Sequence, residues 1–317
     1  MPNADIPVLI LIPMQAAHLE QLRRRYRVHY APNGPGDAAA WRPAARQVRG
    51  IVTNGSTGVS ASLLGQLPSV EIITCFGAGY ENVDRSAARA RAVPVTHAPN
   101  LSDATVADHA LALMLALARG VIPLDRAVRA GAWSGSRAAR PTLHGRRLGL
   151  LGLGAIGLQV ARRAQAFDMA IGYHTRRPRP DVPWPHHERL VDLARTSDFL
   201  VAACPGGQST HHLIDAAVLG ALGPEGFLIN VARGSVVDTA ALIAALDAGT
   251  IAGAGLDVVE GEPHMPPSLL RHDNLILTPH VAGRSPEVLS AQISSCLANL
   301  DAHFAGHAPP SPVPTGD

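Results

Sequence analysis

Between an apolar run, Arg147–Leu151, and an amphipathic stretch, 155–167, the chain reads Gly152-Leu153-Gly154-Ala155-Ile156-Gly157. Glycines in this spacing, with a strand before and a helix after, match the turn that closes on a dinucleotide pyrophosphate. The first glycine allows the sharp turn, the second the close approach to phosphate, and the third the contact of helix with strand. No other segment constrains the fold as tightly, because this one demands a parallel α/β sheet around it. The rest of the chain agrees. Short apolar runs at 8–12, 50–53, 70–75, 93–96, 147–151, 169–173, 198–202, 226–231, 251–257 and 274–278 read as strands. Helix-like segments, including 82–91, 155–167, 188–195 and 239–248, separate most of them. Near-continuous apolar strands alternating with helices make parallel sheets covered on both faces.

A length of 317 residues suits two domains at roughly 150 residues each. The stretch 102–118 is apolar nearly all round, so it is buried on most faces and reads as the link between two βα series. A final helix, 286–305, can return to the first series, and the Pro-rich end, 308–317, reads as a tail. The expected organisation is a substrate-binding domain over 1–98, completed by 285–317, and a nucleotide-binding domain over 99–284.

Composition removes several classes. Lysine is absent, so all 27 basic residues are arginine, and Schiff-base or Walker A lysine chemistry is excluded. A net charge of +2 carries no nucleic-acid footprint. Three cysteines (Cys75, Cys204, Cys296) form no CxxC pair, which argues against a disulfide scaffold or thiolate zinc site. No apolar run approaches the roughly 20 residues of a membrane span. The run 8–14 reads as a strand and not as a signal peptide, and a cytoplasmic location is the expectation.

About 20 residues beyond the glycine turn, an NAD site places a carboxylate on the ribose hydroxyls. Here the strand ends Tyr173-His174-Thr175-Arg176-Arg177. The carboxylate is missing and two guanidinium groups follow, which suits the 2′-phosphate of NADP, with NAD still possible. Three later segments put charged residues beside strand ends: Asn230-Val231-Ala232-Arg233-Gly234, Asp257-Val258-Val259-Glu260-Gly261-Glu262-Pro263 and Thr278-Pro279-His280-Val281-Ala282-Gly283. Beside a nicotinamide, they hold what carbonyl reduction needs. An imidazolium protonates the oxygen, a carboxylate orients it, and a guanidinium grips the substrate carboxylate.

With these residues in place, the chain resembles the D-isomer-specific 2-hydroxyacid dehydrogenases, from about residue 50 to 310. The matching stretches also include Gly77-Ala78-Gly79-Tyr80-Glu81-Asn82-Val83-Asp84 and Asp103-Ala104-Thr105-Val106-Ala107-Asp108. It looks most like the glyoxylate/hydroxypyruvate reductase branch, which commonly carries an arginine-containing loop after the second nucleotide-domain strand and uses NADPH. The resemblance implies a Rossmann domain and a flavodoxin-like discontinuous substrate domain. It implies Arg233 on the substrate, His280 as acid/base and Glu262 paired with His280. Ala78 and Gly79 amides are expected on the substrate carboxylate, with Ser56 and Thr57 in the pocket wall. Asp257 and the backbone near Val231 and Ala232 are expected on the nicotinamide carboxamide, and Ala155 and Ile156 on the pyrophosphate. Thr105 is expected on the nicotinamide-side phosphate, Cys204 or Pro205 beside the adenosine, and Gly283 in the cofactor site. A homodimer is implied.

Other outcomes within the resemblance are reduction of a sugar-derived 2-oxo acid, oxidation of phosphite, or a dinucleotide-sensing corepressor-like protein. The last is disfavoured because the chain lacks a low-complexity extension or basic arm. His186-His187 and His211-His212 sit in no ligand-spaced set with carboxylates or thiols, and Gly306 interrupts the helical face between His303 and His307. All six read as solvated surface or tail, and no metal is expected.

Overall fold

All ten apolar runs form strands in the computed structural model, which describes residues 4–314, and every strand pairing is parallel. Strand ends differ from the expected bounds by a residue or two in most cases. The chain divides into two units, Met1–Ser102 with Arg284–Asp317, and Asp103–Gly283.

The first unit runs β1 (Pro7–Ile10), α1 (Ala16–Arg23), β2 (Arg27–Tyr30), α2 (Ala38–Trp41), β3 (Gly50–Thr53), α3 (Ala61–Gln66), β4 (Ile72–Cys75), α4 (Arg85–Ala90) and β5 (Val95–Thr96). Its sheet order is β2-β1-β3-β4-β5, the flavodoxin-like doubly wound order. The sequence pattern overlooks β2 because Arg-Val-His-Tyr is an edge strand, half-buried at most, and lacks a continuous apolar run. Ser60 and Asp84 cap α3 and α4 by accepting from Leu63 and Ala87 amides.

The expected C-terminal tail is a correction. Val313 donates to Val95 O (2.9 Å), His97 to Ser311 O (3.0 Å), and Thr96 bridges Pro312 in the antiparallel sense. Residues 311–313 therefore lie along the β5 edge in a single antiparallel bridge, with Val313 packed on the core. Thr315–Asp317 lie outside the described residues.

The second unit holds α5 (Asp103–Arg119), α6 (Val121–Arg129), β6 (Arg147–Leu151), α7 (Ala155–Gln165), β7 (Ala170–His174), α8 (Leu190–Arg195), β8 (Phe199–Ala202), α9 (Ala216–Leu222), β9 (Phe227–Asn230), α10 (Thr239–Asp247), β10 (Gly253–Leu256) and β11 (Leu275–Leu277). The sheet order is β11-β10-β9-β8-β6-β7, so the chain reverses direction across the sheet at β6, and the glycine turn opens there. The helix expected to be a link is built into this unit. Val106, Ala107, Ala110, Leu111, Leu113 and Met114 of α5 are buried with Leu148, Leu150 and Ile229 of the sheet. Burying a leucine side chain of this kind contributes about 1.5–3 kcal/mol, so α5 anchors one face of the sheet. The final helix, α11 (Pro286–Phe304), belongs to the first unit, where Ile293, Cys296, Leu297 and Leu300 pack with Val8, Ile10 and Ile72. No single helix among the described residues is long and apolar enough to cross a membrane.

Candidate active site

The glycine turn shows three different physical reasons for its three glycines. Gly152 has φ 94°, and a Cβ there would stand 2.8 Å from the Cys204 backbone. At Gly157 a Cβ would stand 2.3 Å from Gly152 O. Gly154 is the opposite case, for nothing lies within 4 Å of its absent Cβ. That open space fronts the N-terminus of α7, where no side chain caps the helix and the first amides, including Ala155 and Ile156, face outward from the ladder. Uncapped amides, a positive helix end and a cleared approach are what a pyrophosphate requires. The residues present therefore fit a dinucleotide. Cys204, against Gly152, has its thiol pushed up to about 11, first by burial. Pro205 beside it is exposed.

At the end of β7, His174 Nδ1 meets His187 O at 2.8 Å and His186 Nε2 meets Thr175 O at 2.9 Å. The expectation that His186-His187 are solvated surface is corrected: both are half-buried and latch a returning segment onto β7. Arg176 and Arg177 are exposed. Arg179, which the sequence reading passed over, donates to Leu153 O (2.6 Å) and pairs with Asp181, tying this loop to the glycine turn.

Beyond β10 and β11, His280 Nδ1 donates to Glu262 Oε1 at 2.6 Å, since a carboxylate can only accept. The His280 and Glu262 side chains are 39% and 33% exposed, so the pair is open to a ligand. His280 holds φ 53°, an unusual conformation for a non-glycine residue. Its amide donates to Asp257 O (2.9 Å), and the Asp257 carboxylate accepts from Thr278 Oγ1 (2.6 Å), Val281 N and Ala282 N (both 2.9 Å). Asp257, expected on the carboxamide, is only 2% exposed and is committed first to shaping the His280 loop. His109 of α5 backs it, with Nε2 at 2.9 Å from Thr278 Oγ1 and 3.6 Å from Asp257. Sequence reasoning missed His109 and Thr278. A polar ring in an otherwise apolar helix was the available signal.

Arg233 follows β9, where Asn230 braces the turn by donating to Arg233 O (3.0 Å) and accepting from Ala232 N (3.0 Å). Its stem lies against Gly206, whose absent Cβ would fall 2.6 Å from Arg233 Cγ. Val231 and Ala232 are buried beside it, Gly283 ends the His280 loop half-buried, and Thr105 lies half-buried in the opening turn of α5. In the first unit, the loops after β3 and β4 touch. Asn82 Nδ2 donates to Ser56 O (2.9 Å), Thr57 N to Asn54 Oδ1 (2.7 Å), and a Cβ on Gly55 would meet Gly79. Ala78 is exposed, and His97 Nδ1 meets its carbonyl at 3.0 Å.

Two further histidine expectations change. His303 is half-buried, with its Nε2 3.8 Å from Glu71, and burial lowers its pKa; His307 is exposed. His211-His212 do meet a carboxylate, Glu260, which lies 48 residues beyond His212 in sequence.

Residues 111–282 match the family model for the D-isomer specific 2-hydroxyacid dehydrogenase, NAD binding domain. Over 310 residues the chain is 38% identical to a glyoxylate/hydroxypyruvate reductase A of Arabidopsis thaliana, covering 98% of this chain and 99% of that one. It is 34% identical to a 2-ketogluconate reductase of Gluconobacter oxydans, covering 96% and 98%. An NADPH-dependent glyoxylate/hydroxypyruvate reductase from Sinorhizobium meliloti, solved with NADP and malonate, superposes with a TM-score of 0.90 at 41% identity, covering 97% and 96%. Similarity of this extent, on a chain that pairs its own His280 with Glu262 past the strands of the sheet that also carries the glycine turn, places the protein in the D-isomer specific 2-hydroxyacid dehydrogenase family.

Proposed function

We propose that the protein is an NADPH-preferring reductase that converts small 2-oxo acids, glyoxylate and hydroxypyruvate first, to D-2-hydroxy acids. The observation that carries the reading is the His280–Glu262 contact of 2.6 Å, held past the strand ends of the sheet that also carries the glycine turn. A bound reduced nicotinamide supplies the hydride. The chain's own residues do the remainder. With Nδ1–H engaged by Glu262, the imidazolium directs its Nε2 proton outward, and that proton passes to the substrate carbonyl oxygen as it becomes the hydroxyl. Glu262 keeps the ring oriented. Arg233 holds the substrate carboxylate through a charge-assisted fork and polarises the carbonyl.

NADPH preference is supported by the carboxylate-free end of β7, where exposed Arg176 and Arg177 stand free of hydrogen bonds from their guanidinium groups to other described residues. A ribose 2′-phosphate would pair with them, and an aspartate in place of His174 would repel it. The similarity to the NADPH-dependent enzyme of Sinorhizobium meliloti points the same way. A homodimer is supported by Val121, Ile122, Val128 and Trp133, exposed at 55%, 37%, 42% and 67% along one segment.

The test follows NADPH and NADH oxidation separately, with glyoxylate, hydroxypyruvate and 2-ketogluconate offered to the purified protein. Faster turnover with NADPH is expected, shifting toward NADH in the double variant His174→Asp with Arg176→Ala. A double variant that keeps the wild-type preference refutes the cofactor reading. Turnover with 2-ketogluconate alone moves the substrate assignment to larger 2-oxo acids.

A further inference from the structure

Away from the catalytic three, His211, His212 and Glu260 place one ligand atom each within 4.8 Å of one another. We propose that this cluster binds a divalent cation of the zinc class, tying the loop after β8 to the loop after β10. The proposal is independent of the reductase reading.

The spacing suits such an ion. On a tetrahedral zinc with bonds of about 2.0–2.1 Å, ligand atoms stand roughly 3.3 Å apart. Here His212 Nε2 is 2.9 Å and His211 Nε2 is 3.8 Å from Glu260 Oε1, one edge slightly short and one slightly long. The two imidazoles lie face to face, centroids 3.8 Å apart at 29°, so a ring rotation is needed to aim both nitrogens at one point. His211 has the freedom to supply it, with its side chain 48% exposed.

The other two donors sit on fixed backbone. His212 is held at φ 53°, with its amide bonded to Ser235 O at 2.8 Å. The next residue but one continues the contact, Ile214 N donating to Val236 O at 3.0 Å. The Val259–Glu260 peptide packs directly on Gly234, where a Cβ would lie 2.2 Å from Val259 C and 2.4 Å from Glu260 N. The backbones of these two residues are thus positioned by contacts that need no metal, and binding calls only for side-chain rotation.

Donor chemistry selects the ion. Two imidazoles and one carboxylate suit zinc, nickel or copper. Calcium seeks six to eight oxygens and magnesium keeps octahedral oxygen ligands, so neither fits. The Glu260 and His212 side chains are 36% and 34% exposed, which leaves water room to complete the shell. Because Val259 N also donates to Glu262 Oε2 at 3.2 Å, the turn that an ion would stiffen is the turn that carries Glu262.

The experiment strips the full-length protein with chelator and then dialyses it against zinc sulfate or magnesium sulfate, counting bound metal and recording thermal melting. The expected result is one zinc per chain, no magnesium, and a higher melting temperature with zinc. His211→Ala removes one ligand and spares the His212–Glu260 hydrogen bond. It should melt like wild type without metal and bind zinc roughly tenfold more weakly or worse. Glu260→Gln should weaken zinc binding as well. The chain has 15 histidines. Zinc binding that His211→Ala and Glu260→Gln both leave intact would belong to others of these and overturn the proposal, as would the absence of saturable binding in wild type.

Discussion

Replacing Gly154 by alanine should separate cofactor grip from fold stability. Gly154 has φ −74° and ψ −160°, extended backbone open to any residue, and a methyl group there meets no atom within 4 Å. The fold should accept it, with a gain of about 0.4–1 kcal/mol because the unfolded chain loses freedom. That is a rise in melting temperature of roughly 1–4 °C. The same methyl stands in front of the uncapped amides of α7. If it costs the cofactor one charge-assisted hydrogen bond, worth about 1.5–3 kcal/mol, NADP affinity falls roughly 10- to 150-fold. Gly157→Ala should behave the other way round. Its methyl would press to 2.3 Å from Gly152 O, overpacking that costs about 1–3 kcal/mol and lowers the melting temperature by roughly 3–10 °C. Fluorescence titration with NADP and thermal melting, run on both variants, read the two effects independently. A Gly154→Ala protein that binds NADP as tightly as wild type would refute the placement of the pyrophosphate. A Gly157→Ala protein with unchanged melting would refute the packing argument.

His280→Ala should lower kcat by about 10²- to 10⁴-fold and leave NADP affinity within a factor of a few, measured by steady-state kinetics and titration. Asp257→Asn puts an NH₂ group against at least one of three donors in a site 2% exposed; kcat should fall sharply and melting drop by an amount matching roughly 2–4 kcal/mol, whereas unchanged kinetics would show that the His280 loop holds its shape without the carboxylate. Asp198→Asn tests the pH dependence of stability. Burial alone would raise the Asp198 pKa, but Arg147, donating at 2.7 and 2.8 Å, more than reverses it, and the folded value lies below the ordinary one. Its contribution is therefore complete above the ordinary value near 4 and is lost as pH falls through the folded value. The wild-type advantage, about 1–2 kcal/mol after discounting the half-exposed guanidinium, should hold at pH 7 in urea melts and shrink below about pH 4.

What the sequence discloses and what it hides divide along a physical line. Most of the ten strands are buried and largely apolar, and even the edge strands β7 and β11 keep an apolar run, so all ten could be read directly, whereas β2, with the pattern exposed-then-intermediate, carries no such mark. The glycine turn was legible because its residues are contiguous and each has a local steric reason. The partnership of His280 with Glu262, 18 residues apart, was reached through resemblance and not through spacing. Partners brought together only by folding were hidden. His109 lies 169 residues from Thr278, and Glu260 lies 48 residues from His212. The bridge of residues 311–313 to β5 was hidden for another reason. Proline-rich sequence reads as a tail, yet a proline can lie on an outer edge, where its missing amide is not needed by a further neighbour.

The groups proposed to react and the group that aims them are built to opposite specifications. His280 and Glu262, which the proposed reaction requires to meet a ligand and release it, are a third or more exposed. The left-handed backbone at His280 costs about 1–2 kcal/mol, which an exposed loop could relieve simply by moving. Asp257 prevents that movement. Its carboxylate takes the amides of the two residues after His280, its carbonyl takes the amide of His280 itself, and Thr278 closes the other side. Asp257 is 2% exposed and its four bonds run from 2.6 to 2.9 Å, so together they offset the strain. On the proposed mechanism, the aim of the imidazole is thus stored in a buried residue that touches no substrate, and access is left to the exposed pair.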